Sequence, residues 1–258
     1  MELLQKNVIT KEKKDIIKRG LLGLSIPLIS MSYPLLNHYR GDMNSVFIFV
    51  DKLIPFNKFF ILPYISWYIF ITIFSAILCI LDRERYLKLL ITLNIGMITC
   101  YIIYYFYPTY VPRPLVSGTD VFSNLILSLY EVDNPYNCFP SIHVLDSVLI
   151  ALYTCESKKV CIWTKVVCVV MALSISISTV FIKQHYFADV ISGIIFAYIL
   201  YFCFKNLKFK DIPEEKSHTA ISANWLAHRM TIYKRSPWLE FMGTFCRCIK
   251  DYAKLTVY

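Results

Sequence analysis

The chain has 258 residues, of which 57% are hydrophobic and only 17% charged. A soluble domain carries nearer a quarter charged residues, and its helices alternate apolar and polar faces at a period of about 3.6; runs such as "FFILPYISWYIFITIFSAILCIL" (59–81) do neither. The formal net charge of +9 argues little for nucleic acid, because the basic residues collect at the ends of the apolar runs and in the tail.

Segment 1–20 is charged throughout, with no small-residue cleavage site after the first apolar run, so it reads as a cytoplasmic lead-in and not as a secretory signal. A bilayer core of ~30 Å needs roughly 20 apolar helical residues. On that measure six spans are expected, at approximately 20–37, 57–81, 87–107, 142–156, 160–182 and 186–204. Pro27 and Pro34 interrupt the first, and the fourth is short. The expected organisation is a cytoplasmic segment 1–19, a transmembrane domain 20–205 and a basic tail 206–258. The fold class is all-α, a polytopic six-helix membrane bundle. The tail scatters Trp225, Trp238, Phe241 and Phe245 among Lys and Arg. That pattern suits a segment lying on anionic headgroups, and equally a loosely ordered cytoplasmic tail. Of nine cysteines, six lie in or beside apolar runs, where cysteine acts as a small hydrophobe; neither a disulfide framework nor a zinc site is implied.

Basic residues sort the connections. Segment 1–20, "DRERYLK" (82–88), "ESKK" (156–159) and "KNLKFK" (205–210) are rich in Lys and Arg, whereas 38–56, 108–141 and the turn near 183–185 are sparser. The positive-inside rule then puts both termini in the cytoplasm. It also puts Arg113, Ser141, His143 and His185 together on the opposite face.

Ionisable residues at a membrane helix end are functional candidates by default, and three clusters qualify: "YVPRP" (110–114), "CFPSIH" (138–143) and "STVFIKQHYFAD" (178–189). His185 and Asp189, spaced i, i+4, share one helix face. Such a pair either caps a helix or serves catalysis, the carboxylate fixing the imidazole tautomer so that the other ring nitrogen attacks an electrophile. Pro140 suits a first helical position, which leaves the N–H groups from Ser141 onward facing a bound anion. His143 in the same turn is placed to donate a proton to a departing oxygen. Arg113 is either an interfacial anchor or a planar fork for two phosphate oxygens.

In order and spacing, "RP" (113–114), "PSIH" (140–143) and "HYFAD" (185–189) resemble the three signature motifs of the type 2 phosphatidic acid phosphatase superfamily of membrane lipid phosphatases and phosphotransferases. In style they look closer to its inositol phosphorylceramide synthase-like branch. The resemblance covers roughly 100–195. It implies His185 as the nucleophile of a phosphohistidine intermediate, Asp189 as its orienting group and His143 as the general acid. Arg113 and the Ser141 region would hold the phosphoryl oxygens, with no metal and no cofactor. It also implies a bacterial plasma-membrane location.

Two family cations are absent: the lysine position is Phe106 and the arginine position after Ser178 is Thr179. Lys183 lies four residues past Thr179, so on a continuing helix it reaches the same phosphate. The expected activity is hydrolysis of a lipid phosphate or diphosphate at the extracytoplasmic face. The alternatives are transfer of a phosphoryl headgroup to another alcohol, and a non-catalytic transporter or scaffold with a degenerate site. The expected partners are the lipid substrate and membrane lipids, with no nucleic acid; the sequence does not fix an oligomeric state.

Overall fold

A computed structural model describes residues 13–209, so the expectations for the basic tail concern residues outside it. The described chain is helical, and its β structure amounts to two isolated bridges, Asn44–Thr109 and Tyr110–Tyr136. In chain order the helices are α1 (13–22), α2 (Ser25–Ser30), α3 (Tyr33–Leu36), α4 (Phe49–Leu53), α5 (Ile61–Leu81), α6 (Arg83–Phe106), α7 (Val121–Val132), α8 (Ile142–Glu156), α9 (Ile162–Phe181) and α10 (Phe187–Phe204). A single 3₁₀ turn, Lys58–Phe60, leads into α5. This is an all-α membrane bundle.

Among the described residues, four helices are long and apolar enough to cross a membrane: Lys58–Leu81, Arg83–Phe106, Ile162–Phe181 and Phe187–Phe204. Their outward residues include Ile69, Ile73, Ile102, Val170, Leu173, Ile195 and Ile199, all exposed. A contiguous apolar surface of that kind belongs against lipid, because water disfavours it. The other two expected spans look different. Segment 20–37 is no continuous helix: turns at 23–24 and 31–32 divide it, and α2 and α3 lie against α6. The Tyr33 hydroxyl and the Asn37 amide both donate to Asp133 Oδ1, at 3.0 and 2.9 Å, which ties α3 to the end of α7.

Helix α8 has 15 residues, about 22 Å at 1.5 Å per residue, short of a ~30 Å hydrocarbon core. It packs against α5, α6, α9 and α10, so it meets mostly protein. Its Leu145, Leu149, Ile150 and Tyr153 anchor the main core, with Phe70, Phe74 and Leu78 of α5, Leu89, Leu93 and Cys100 of α6, Ala172 and Ile175 of α9, and Ala197 and Leu200 of α10. A helix shielded in this way tolerates Asp146, Ser147 and Thr154 at buried positions.

The sorting of loops into two sets has a structural counterpart at the two ends of the bundle. At one end Arg85 pairs with Glu156 at 3.3 Å, Ser157 Oγ donates to Asp82 Oδ2 at 2.6 Å, and Lys88 Nζ donates to the Lys205 carbonyl at 2.5 Å. Three of the four basic segments, 82–88, 156–159 and 205–210, meet there. At the other end lie the connections 41–57, 108–120, 133–140 and 182–186. Within the second of the long sparse segments the chain forms α7, a helix the span pattern does not anticipate. Asp120 caps it by accepting from the backbone N–H groups of Phe122 and Ser123, and Lys58 pairs with Asp120 across to α5.

Candidate active site

The site lies where α8 and α10 begin and α9 ends. Helix α9 stops at Phe181, and the next residues turn sharply, with Lys183 at φ +56°. The N–H groups of Gln184 and His185 both donate to the Thr179 carbonyl, at 2.9 and 3.1 Å. Thr179 itself is fully buried, its hydroxyl bonded back to the Ser176 carbonyl at 2.8 Å. The position where the family motif has arginine is therefore an anchor for the turn.

His185 and Asp189 meet as their spacing predicts. His185 Nδ1 is 3.3 Å from Asp189 Oδ2, and the same oxygen accepts from the Tyr186 N–H at 2.9 Å. A carboxylate on Nδ1 leaves Nε2 as the reactive nitrogen. Asp189 Oδ1 is buried with no partner among the described residues. The His143 ring lies 5.9 Å from that of His185, edge to face, and is packed by Tyr64 at 4.7 Å and Trp67 at 4.4 Å. The two imidazoles, 42 residues apart in the chain, share one site.

Ser141 differs in detail from expectation. The helix starts at Ile142 with Ser141 as its cap, so Pro140 lies one residue ahead of the cap and is not the first helical residue. The Ser141 N–H is also not free for an anion: it donates to the Asp189 carbonyl at 3.1 Å. That bond joins the start of α8 to the first turn of α10. Tyr104 supports the approach by donating its hydroxyl to the Pro140 carbonyl at 2.7 Å, and Thr109 Oγ1 accepts from the N–H groups of Cys138 and Phe139. Gly193 lets the two helices touch, since a Cβ there would lie 2.8 Å from the Ser141 carbonyl oxygen.

Arg113 reaches the same turn. Nη1 donates to the Lys183 carbonyl and Nη2 to Gln184 Oε1, while the guanidinium stacks on the Tyr130 ring at 4.9 Å. The Tyr130 hydroxyl donates to the Ile182 carbonyl at 2.5 Å. Burial pushes that phenol up to about 12, the Arg113 charge opposing, so it stays a neutral donor. Lys183 takes another direction. The helix that was to carry it toward the phosphate ends two residues earlier, and its Nζ donates to the carbonyls of Ile54 and Asp51, at 2.5 and 3.4 Å. Burial pulls the ammonium below its usual value, with the Asp51 carboxylate opposing. Phe106, at the other missing-cation position, is 79% exposed on the apolar surface.

Two residues here escaped sequence reasoning. Asp51 is buried, its Oδ1 accepting from the Phe187 N–H at 2.7 Å and its Oδ2 from Ile48 at 2.9 Å, so it fastens the 44–57 loop onto the start of α10. Gln184 is 2% exposed and directly precedes His185. Neither belongs to a recognisable pattern; only the invariably costly burial of a polar side chain marks them, and burial is not visible in the sequence. Among the described residues, no group of three or more His, Cys, Asp and Glu side chains converges as a metal site.

The model of the PAP2 superfamily matches residues 41–203, which includes every residue of this site. The chain belongs to the PAP2 superfamily. No curated protein and no solved structure matches it. PAP2 superfamily members are phosphatases and related phosphoesterases, so membership makes the chain an integral membrane protein of phosphoric-ester chemistry in general. The motif residues that the superfamily resemblance singled out, Arg113, Ser141, His143, His185 and Asp189, are the ones gathered at this end of the bundle.

Proposed function

We propose that the protein hydrolyses a lipid phosphate or diphosphate through a phosphohistidine at His185. Nε2 of His185 attacks phosphorus and forms the N–P bond as the P–O bond to the leaving group breaks. His143 gives its proton to the departing oxygen, then takes one from the water that cleaves the N–P bond. Asp189 holds the tautomer and stabilises the imidazolium. Arg113, through its charge and its unpaired Nε, and Ser141, through its side chain and not its N–H, bear on the phosphoryl oxygens, whose growing charge fixed donors stabilise without solvent reorganisation. Lys183 adds positive charge to the same turn while its ammonium rests on loop carbonyls. The reading requires no metal and no cofactor. The charge sorting of the loops supports a site on the extracytoplasmic face, and the family resemblance a bacterial plasma membrane.

One observation carries the proposal: the His185–Asp189 pair lies edge to face with His143, one nucleophile and one acid within reach of a single phosphoryl group. A second reading, transfer of a phosphoryl headgroup to another alcohol, is favoured by the two missing cations. With Thr179 buried and Phe106 on the apolar surface, the site suits the single negative charge of a phosphodiester better than a dianion.

The test uses the full chain purified in detergent, with chelator, on a panel of phosphatidic acid, farnesyl diphosphate, and phosphatidylinositol plus a fluorescent acceptor alcohol. Phosphate release by wild type and not by His185→Ala is the expected result, together with acid-labile phosphate on His185. Headgroup exchange without phosphate release selects the transferase. A folded protein silent on the whole panel refutes both and leaves a transporter or scaffold.

A further inference from the structure

We infer that Gln184 is a phosphoryl-oxygen donor of this site, its uncharged amide standing where a cation is missing. The inference rests on the phosphoryl-transfer reading above. Its first support is the direction of the amide. A guanidinium has only N–H donors, so the end of Gln184 that meets Arg113 Nη2 has to be Oε1. That leaves Nε2, with two N–H bonds, at the other end of the group. It is buried and has no partner among the described residues.

A buried amide nitrogen left without a partner loses its bonds to water and gains nothing in return. Arg113 carries a second unpaired buried donor, Nε, because its Nη1 and Nη2 are taken by Lys183 and Gln184. Two orphaned donors on two residues bonded to each other call for one ligand rich in acceptor oxygens. A phosphoryl group has those oxygens, and the neighbouring His185 is the residue proposed to attack it.

The backbone fixes the amide relative to the nucleophile. Gln184 and His185 both hang from the Thr179 carbonyl through their N–H groups, so the donor and the attacking imidazole move as one unit. Thr179, at the position of the absent arginine, supplies the anchor from which Gln184 supplies the donor. Arg113 in turn polarises the amide through Oε1, which strengthens Nε2 as a donor.

A purely structural role for Gln184, holding Arg113 in place, makes the opposite prediction for one substitution. Gln184→Glu keeps an oxygen for Arg113 and charges it, so it preserves or tightens that contact. As a donor, however, Glu is worse than nothing, since it faces the phosphoryl oxygens with an anion. Orthovanadate serves as the probe, its binding followed by the change in intrinsic tryptophan fluorescence, to which Trp67, against His143, contributes. The wild type is expected to respond to vanadate, Gln184→Met to bind it about 100-fold more weakly, and Gln184→Glu more weakly still, with thermal unfolding in detergent as the check that both variants fold. A wild type that does not respond overturns the phosphoryl-transfer reading and this inference together. A responding wild type matched or exceeded by Gln184→Glu overturns this inference alone.

Discussion

Gly193→Ala is the sharpest perturbation of the α8–α10 contact. The added Cβ lies 2.8 Å from the Ser141 carbonyl oxygen, 0.6 Å short of the 3.4 Å at which ordinary contact begins, and 3.2 Å from Val144 Cβ. The obstacle is backbone. Ser141 O also accepts from Leu145 N at 3.0 Å inside the first turn of α8, so relief has to come from moving one helix start away from the other. The Ser141 N–H to Asp189 carbonyl bond, at 3.1 Å, stretches with it. Overpacking of this kind costs about 1–3 kcal/mol, and the better helix propensity of alanine returns up to about 1 kcal/mol. The net stability loss is therefore modest, about 0–3 kcal/mol on the same principles. Activity suffers more, because a shift approaching 1 Å in reacting groups costs on the order of 100-fold. Gly96→Ala is the matched control: its Cβ meets Leu145 Cδ2 at 2.6 Å and Leu200 Cδ1 at 3.2 Å, both ends of flexible side chains in the main core and neither of them backbone. Phosphate release and thermal unfolding are measured for both in detergent. Gly193→Ala is expected to lose turnover about 10–100-fold with a modest loss of stability, and Gly96→Ala to keep turnover. Wild-type turnover in Gly193→Ala refutes the reasoning, as does an equal loss in both variants.

Lys183→Met strips two loop carbonyls of a charged donor, so it is expected to lower stability by about 1–2 kcal/mol; unchanged stability with a raised KM would instead put Nζ on the phosphate. Asp51→Asn retains one of the two acceptors used by Phe187 and Ile48. It is expected to cost about 1–3 kcal/mol, read by thermal unfolding, and to raise hydrogen exchange at the first amides of α10. Lys58, helped by Ser123, holds the Asp120 carboxyl well below the usual carboxylate range. A lowered native value means the link between α5 and α7 is complete above the unfolded value of about 4 and is lost as pH falls through the native one. Exchange over 121–132 should therefore rise in acid in the wild type, and Asp120→Asn should abolish that pH dependence.

How much of this was legible in the sequence depended on the range of the determining contact. The i, i+4 spacing of His185 and Asp189 is local, and the pair forms as read. Convergence of Arg113, His143 and His185 on one end of the bundle followed from counting spans and sorting charges, although the first span is broken into short helices and α8 is shorter than a bilayer. Lys183 shows the limit. Its reach was extrapolated along a helix that a residue at φ +56° ends, and apolar periodicity does not register such a stop. Asp51 and Gln184 were invisible for another reason. The Asp51–Phe187 bond joins residues 136 apart, and the Gln184 amide is oriented by an arginine 71 residues away; no local pattern encodes either.

Asp189 shows why the two helix starts behave as one site. Its carboxylate holds His185, and its carbonyl accepts from the N–H of Ser141, the cap of the helix that carries His143. The proposed nucleophile and the proposed acid are thus referenced to a single residue, with no long loop between them to absorb error. Shielding of α8 by four neighbours completes the argument. Its start is fixed by protein packing, so a 15-residue helix is sufficient; extra turns inserted at that start would carry His143 away from His185. The short helix that weakens the span pattern is the one that brings His143 to His185.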